Sequence, residues 1–186
     1  IEAASIWHGE RALNGKGERG KVPLCSRGLR YLWTSSLILS NRTSSMADMP
    51  QAGQPAPAFS GTTHTGDTVS LSDFAGQPVA LYFYPKDDTP GCTKQACNLR
   101  DNYAALQHAG IAIVGVSADD ETSHERFTEK YDLPFPLIAD TERAIMEAYG
   151  AYGEKNMYGV KRMGVKRTTF LVDGDGTIVH VFKRPT

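Results

Sequence analysis

Tyr84-Pro85-Lys86-Asp87-Asp88-Thr89-Pro90-Gly91-Cys92-Thr93-Lys94-Gln95-Ala96-Cys97 carries the chain from a strand into a helix and puts a cysteine at the join. Residues 79–84, just upstream, form an unbroken apolar run rich in β-formers, the pattern of a strand buried on both faces. Downstream, the spacing predicts a helix from about Cys92 to His108, ending at Gly110. In open α/β sheets, ligands gather at the carboxyl ends of strands. Unpaired backbone N–H groups and the positive end of the helix dipole point at such a position. Both stabilise a thiolate, the reactive form of cysteine. The bland alternative for Cys92 is a small buried hydrophobe. Pro90-Gly91 and Thr89 weigh against it, because glycine lets backbone amides approach a small ligand and Thr89 brings a hydroxyl donor within reach.

Spacing constrains the second cysteine. On an ideal helix Ala96, Leu99, Tyr103 and Leu106 lie within about 40° of Cys92, so that face packs on the sheet. Cys97 is turned about 140° away, with the two Cα atoms roughly 8–9 Å apart. A disulfide needs less than about 7 Å. Either the two thiols do not pair, or pairing unwinds at least the first turn of the helix.

The same alternation continues outward. Residues 111–116 read as a second buried strand, and 119–131 as a helix stopped by Leu133-Pro134. Residues 141–149 read as a short helix with Asp140 as N-cap and Gly150 past its end. Residues 168–172 and 177–182 read as strands joined by Asp173-Gly174-Asp175-Gly176, a hairpin turn. Toward the N-terminus, short strands around Phe59 and Val69 flank a turn at Thr65-Gly66-Asp67. Strands alternating with helices, then a closing hairpin, predict an α/β sandwich with a mixed central β-sheet.

The composition of the 186 residues fits one domain plus an extension. Apolar residues at 40% are enough for a core, which excludes wholesale disorder. Twenty basic against twenty-one acidic side chains argue against bulk electrostatic binding of nucleic acid or an anionic membrane. No apolar run approaches the roughly 20 residues needed to span a bilayer. Three cysteines are too few for a disulfide scaffold. Residues 1–48 read as an irregular leader, disordered or non-native, ahead of a domain at 49–186. Its first 45 residues carry seven basic and three acidic side chains, and 19–45 contain no acid, so a transit peptide is an alternative. A secretory signal fits less well, because Thr34, Ser35 and Ser36 interrupt its apolar stretch.

A thiolate that reduces a peroxide must stabilise the leaving oxygen, and arginine does so as a permanently charged fork of donors. Arg167, just before the strand at 168–172, is the candidate, although a lone arginine at a strand start is usually only solvated.

At these residues the chain resembles a known family. Residues 82–101, with their P-x-x-x-T-x-x-C core, resemble peroxiredoxins of the bacterioferritin-comigratory-protein type, also called peroxiredoxin Q. Gly164-Val165-Lys166-Arg167-Thr168-Thr169-Phe170-Leu171 resembles the same family's arginine-bearing strand. The resemblance covers about residues 49–184. It implies a thioredoxin-like fold, with Cys92 the peroxidatic nucleophile and Cys97 the resolving thiol. It also implies that Thr89 hydrogen-bonds the peroxide, Pro85 shields the thiolate, and Arg167 activates both. The implied activity is that of a thiol peroxidase in antioxidant defence, acting on hydrogen peroxide and organic hydroperoxides. A Cys92–Cys97 disulfide would be recycled by thioredoxin or a similar dithiol, with no cofactor: no metal, haem or flavin. A cytoplasmic monomer is expected rather than a dimer, without nucleic-acid or membrane partners. An organelle becomes the alternative if the leader is a transit peptide. The family normally closes with a helix after the last strand, and here that C-terminal helix is expected to be missing.

Other signals are weaker. Cys25 lies in the leader and reads as incidental. His8, His64, His108, His124 and His180 share no zinc-ligand spacing. A thioredoxin-type disulfide oxidoreductase is the runner-up, but it wants C-x-x-C and a cis-proline, and no proline lies between Pro136 and Pro185. A non-catalytic holdase on the same fold is opposed by the intact Pro85, Thr89, Cys92 and Arg167.

Overall fold

The computed structural model describes residues 48–157 and 160–185. The expected leader lies outside them, apart from Asp48. The centre is a five-stranded mixed sheet. β3 (Val79–Phe83) lies in the middle, parallel to β4 (Ala112–Ser117), which is parallel to β5 (Leu137–Ala139). On its other side β3 pairs antiparallel with β8 (Thr168–Val172), and β8 with the edge strand β9 (Ile178–Lys183).

Every residue of β3 is buried. Side chains alternate across a strand, so Val79, Leu81 and Phe83 enter a core with Val114, Val116, Phe170, Ile145 and Tyr149. Tyr82 and Tyr84 face the other way, against Cys92, Ala96, Ile113, Phe127 and Phe135. The second of these faces is covered by α1 (Pro90–Asp101), α2 (Tyr103–His108) and α3 (Glu121–Tyr131). Ala96, Leu99, Tyr103 and Leu106 all pack there, as the helical spacing predicts. The first face is covered by α4 (Ala144–Ala148), and Phe59 joins its core just ahead of β1. The hairpin of β1 (Ser60–Thr62) and β2 (Thr68–Ser70) reaches the edge strand β5 through Thr63 and through His64 N–H to the Leu137 carbonyl. Layers, mixed sheet and N-terminal hairpin are those of a thioredoxin-like fold. Among the described residues, no helix is long and apolar enough to cross a membrane.

Several boundaries differ from the sequence reading. The single helix expected from Cys92 to His108 is two, broken at Asn102, whose side-chain amide donates to the Asn98 carbonyl at 2.8 Å. The helix expected over 119–131 begins at Glu121, with Asp120 as its N-cap accepting from Ser123 N–H. The helix expected over 141–149 is shorter because Arg143, with φ of 63°, turns the chain into α4. Asp140 still satisfies the helix start from outside it, accepting from Ile145 and Met146 N–H. β5 was not anticipated; it is three residues long and follows Pro136 directly. Nor was the hairpin of β6 (Tyr152–Met157) and β7 (Val160–Val165), whose glycines and charges hide any strand alternation.

Candidate active site

β8 runs antiparallel to β3, with Thr168 opposite Phe83. The residue before β8 therefore sits at the carboxyl end of β3, where the loop into α1 begins. That register brings Arg167 to Cys92 across 75 positions of sequence. Cys92 is the third residue of α1 and is 2% exposed. Pro90 occupies the first helical position, where its missing N–H costs nothing. Thr89 is the extended N-cap, with φ −92° and ψ 145°.

Arg167 binds with both arms. Nη2 donates to Cys92 Sγ at 3.3 Å and Nη1 to the Gly91 carbonyl at 2.6 Å. A Cβ on Gly91 would stand 2.9 Å from Nη2, so only glycine leaves room for this approach. The Thr89 hydroxyl donates to the Lys86 carbonyl at 3.1 Å. Pro85 is exposed, two residues beyond β3. Cys97 is half-buried on the same helix, and both thiols are free. The structure thus brings Cys92 and Arg167 into contact, with Thr89 beside them at the helix start.

The loop from 85 to 89 is clamped from behind. Asp87, 6% exposed, accepts from Tyr84 Oη at 2.7 Å and Ser123 Oγ at 2.8 Å, and its own N–H donates to Asp119. His124 is fully buried, with Nδ1 2.7 Å from Asp87 Oδ2 and Nε2 3.2 Å from the Ile138 carbonyl. Two oxygen atoms thus face the two ring nitrogens, and Asp87 and His124 are buried partners of one another. Asp88, with φ of 52°, accepts from Lys130 Nζ and Tyr131 Oη, and these bonds hold its carboxyl below the usual range.

Removing His124 leaves the buried Asp87 carboxyl short of a partner and opens a cavity. His124→Ala is therefore expected to cost about 3–5 kcal/mol in denaturant unfolding. A loss below about 1 kcal/mol would mean that the Asp87–His124 contact does not hold the loop. The sequence reading set His124 aside among scattered histidines, since nothing local links it to Asp87, 37 positions away. It also passed over Gln95, buried one turn after Cys92 with no partner for Oε1.

A family model described as AhpC/TSA matches residues 52–181. The chain belongs to the AhpC/TSA family. The peroxiredoxin Bcp of Escherichia coli K12 is 47% identical over 132 residues, covering 71% of this chain and 85% of that protein. A putative peroxiredoxin Bcp of Coxiella burnetii is 46% identical over 134 residues, 72% of this chain and 89% of that one. Among solved structures, the Xanthomonas campestris bacterioferritin comigratory protein, studied for its alkyl peroxide reduction, superposes with a TM-score of 0.65. It is 34% identical, covering 69% of this chain and 82% of that one. Peroxidase activity comes with membership among these peroxiredoxins, and the resemblance read from residues 82–101 and 164–171 points to the same branch.

Proposed function

We propose that this peroxiredoxin reduces hydrogen peroxide and organic hydroperoxides at Cys92, with Cys97 resolving the oxidised thiol and a thioredoxin-type dithiol restoring both. The observation that carries the reading is the Arg167 guanidinium on Cys92 Sγ at the start of α1. Helix dipole and guanidinium both favour the thiolate, and the guanidinium also stabilises charge on the peroxide oxygens. Thiolate sulfur attacks one peroxide oxygen, the S–O bond forms as the O–O bond breaks, and Cys92 becomes a sulfenic acid. Attack by the Cys97 thiol then expels water and leaves a disulfide. Alkyl hydroperoxides belong in the substrate class on the likeness to the Xanthomonas protein.

Thr89 serves as a peroxide donor once its hydroxyl turns from Lys86, and Pro85 limits water at the thiolate. Cys92 and Cys97 share one helix, so the disulfide requires α1 to unwind between them. Half-buried Cys97 offers the reductant its first point of attack. The catalytic domain is residues 49–186, a span supported by the family match over 52–181. The test is one equivalent of hydrogen peroxide added to reduced protein, followed by thioredoxin. An internal Cys92–Cys97 bridge that forms and is then reduced supports the cycle. Absence of that bridge overturns it.

A further inference from the structure

A donor to the peroxide works best from a fixed position, and the Thr89 hydroxyl is fixed through a chain of hydrogen bonds that ends at β4. Thr89 Oγ donates to the Lys86 carbonyl at 3.1 Å. That carbonyl belongs to the Lys86–Asp87 peptide, a planar trans unit whose C=O and N–H point in opposite directions. Its N–H, on Asp87, donates to Asp119 Oδ2 at 2.8 Å. One rigid plane therefore carries Thr89 on one side and Asp119 on the other. The Asp119 carboxylate is itself held. The same Oδ2 accepts from Ser117 Oγ at 2.7 Å, and Ser117 Oγ accepts from Asp119 N–H at 3.0 Å. Ser117 is fully buried and ends β4, beside β3, where Tyr84 N–H donates to the Val116 carbonyl at 3.2 Å. The anchor is thus tied to the centre of the sheet. The hold of Lys130 and Tyr131 on Asp88 is solvent-exposed and correspondingly weak.

We propose that Asp119 is a positioning residue of the peroxide step: it holds the Lys86–Asp87 peptide in the orientation that sets the Thr89 hydroxyl for the peroxide. This rests on Cys92 being the nucleophile and Thr89 the peroxide donor. Asp119 acts through the peptide plane, not on the sulfur. With the Asp87 N–H anchored, the plane cannot rotate and its carbonyl stays on Thr89. The hydroxyl then turns to an arriving peroxide from one defined place. The Asp87 side chain is held separately, by Tyr84, Ser123 and His124. Those bonds fix the carboxylate but leave the peptide before it free to turn. Without Asp119 the plane swings, and carbonyl and hydroxyl separate. The thiolate is served by other groups, the Arg167 guanidinium and the start of α1. Loss of Asp119 therefore harms what the peroxide needs and spares what the thiolate needs.

The test follows two reactions at Cys92: oxidation by hydrogen peroxide, and alkylation by iodoacetamide, which has no peroxide to orient. Asp119→Ala is expected to slow oxidation about tenfold and to leave alkylation within about twofold of wild type. Asp119→Asn, whose amide oxygen still accepts from Asp87 N–H, is expected to restore oxidation to within about threefold. Ser117→Ala frees the carboxylate without removing it and gives a smaller loss of the same kind. Because the effect runs through one hydroxyl, Asp119→Ala is expected to add nothing on a Thr89→Val background. Oxidation at the wild-type rate in both Asp119→Ala and Ser117→Ala would overturn the proposal. Equal slowing of both reactions would do so too, as would losses that multiply in the double variant. Failure of the underlying reading looks different: peroxide would then leave Cys92 unoxidised in the wild type, or Thr89→Val alone would oxidise at the wild-type rate.

Discussion

Cys92→Ser is expected to abolish peroxide turnover, lowering it about 10³-fold or more. Serine fits the buried site at the start of α1 and still accepts a hydrogen bond from Arg167, so the fold should survive. Its hydroxyl, however, is not ionised near neutral pH and its oxygen cannot take up a second oxygen. Everything the site does to stabilise a thiolate then acts on a group that cannot react. The check is loss of hydrogen peroxide in the presence of a thioredoxin reducing system, with circular dichroism confirming that the variant is folded. Turnover persisting in Cys92→Ser would move the nucleophile to Cys97 or Cys25.

Arg167→Met is expected to lower the rate of Cys92 oxidation about 10²–10³-fold, the usual cost of losing a preorganised charged donor. The guanidinium makes two contacts in one plane, to Cys92 Sγ and the Gly91 carbonyl. Lysine offers a single point charge and cannot span both, so Arg167→Lys should recover only part of the loss. Gly91→Ala provides an independent check without touching the arginine. Its new Cβ would stand 2.9 Å from Nη2, pushing the guanidinium off the sulfur and giving a smaller loss in the same direction. Alkylation of Cys92 by iodoacetamide should also slow in the Arg167 variants, because this residue acts on the thiolate itself. Unchanged oxidation in Arg167→Met would remove Arg167 from the chemistry.

Much of this site is legible in one stretch of sequence because its geometry is local. A strand ending at Phe83, a turn and a helix opening at Pro90 put Cys92 at a helix start whatever the rest of the chain does. The apolar face running from Cys92 to Leu106 survives even though the helix breaks at Asn102, since α2 continues on the same side of the sheet. Arg167 is different. Its position before a strand is readable, but its place beside Cys92 depends on β8 pairing with β3, and the family resemblance supplied that link. The clamp of Asp87 on His124 is a long-range contact between polar residues. Polar side chains leave no periodic signal, so only the folded arrangement reveals them. β5 and the β6–β7 hairpin escaped notice for related reasons: one is too short to show a period, and the other is dominated by glycine and charge.

The most direct test of the account uses the lysine that separates the two thiols. Lys94 stands between Cys92 and Cys97, so trypsin places them on different peptides, residues 87–94 and 95–100. Reduced protein is treated with one equivalent of hydrogen peroxide, digested without reductant, and analysed by mass spectrometry alongside the intact mass. The account predicts the two peptides joined by a disulfide, in protein of monomer mass, and separated again after thioredoxin is added. Unlinked peptides with a sulfinic acid on Cys92, or a bridge from Cys92 to any thiol other than Cys97 of the same chain, would contradict it.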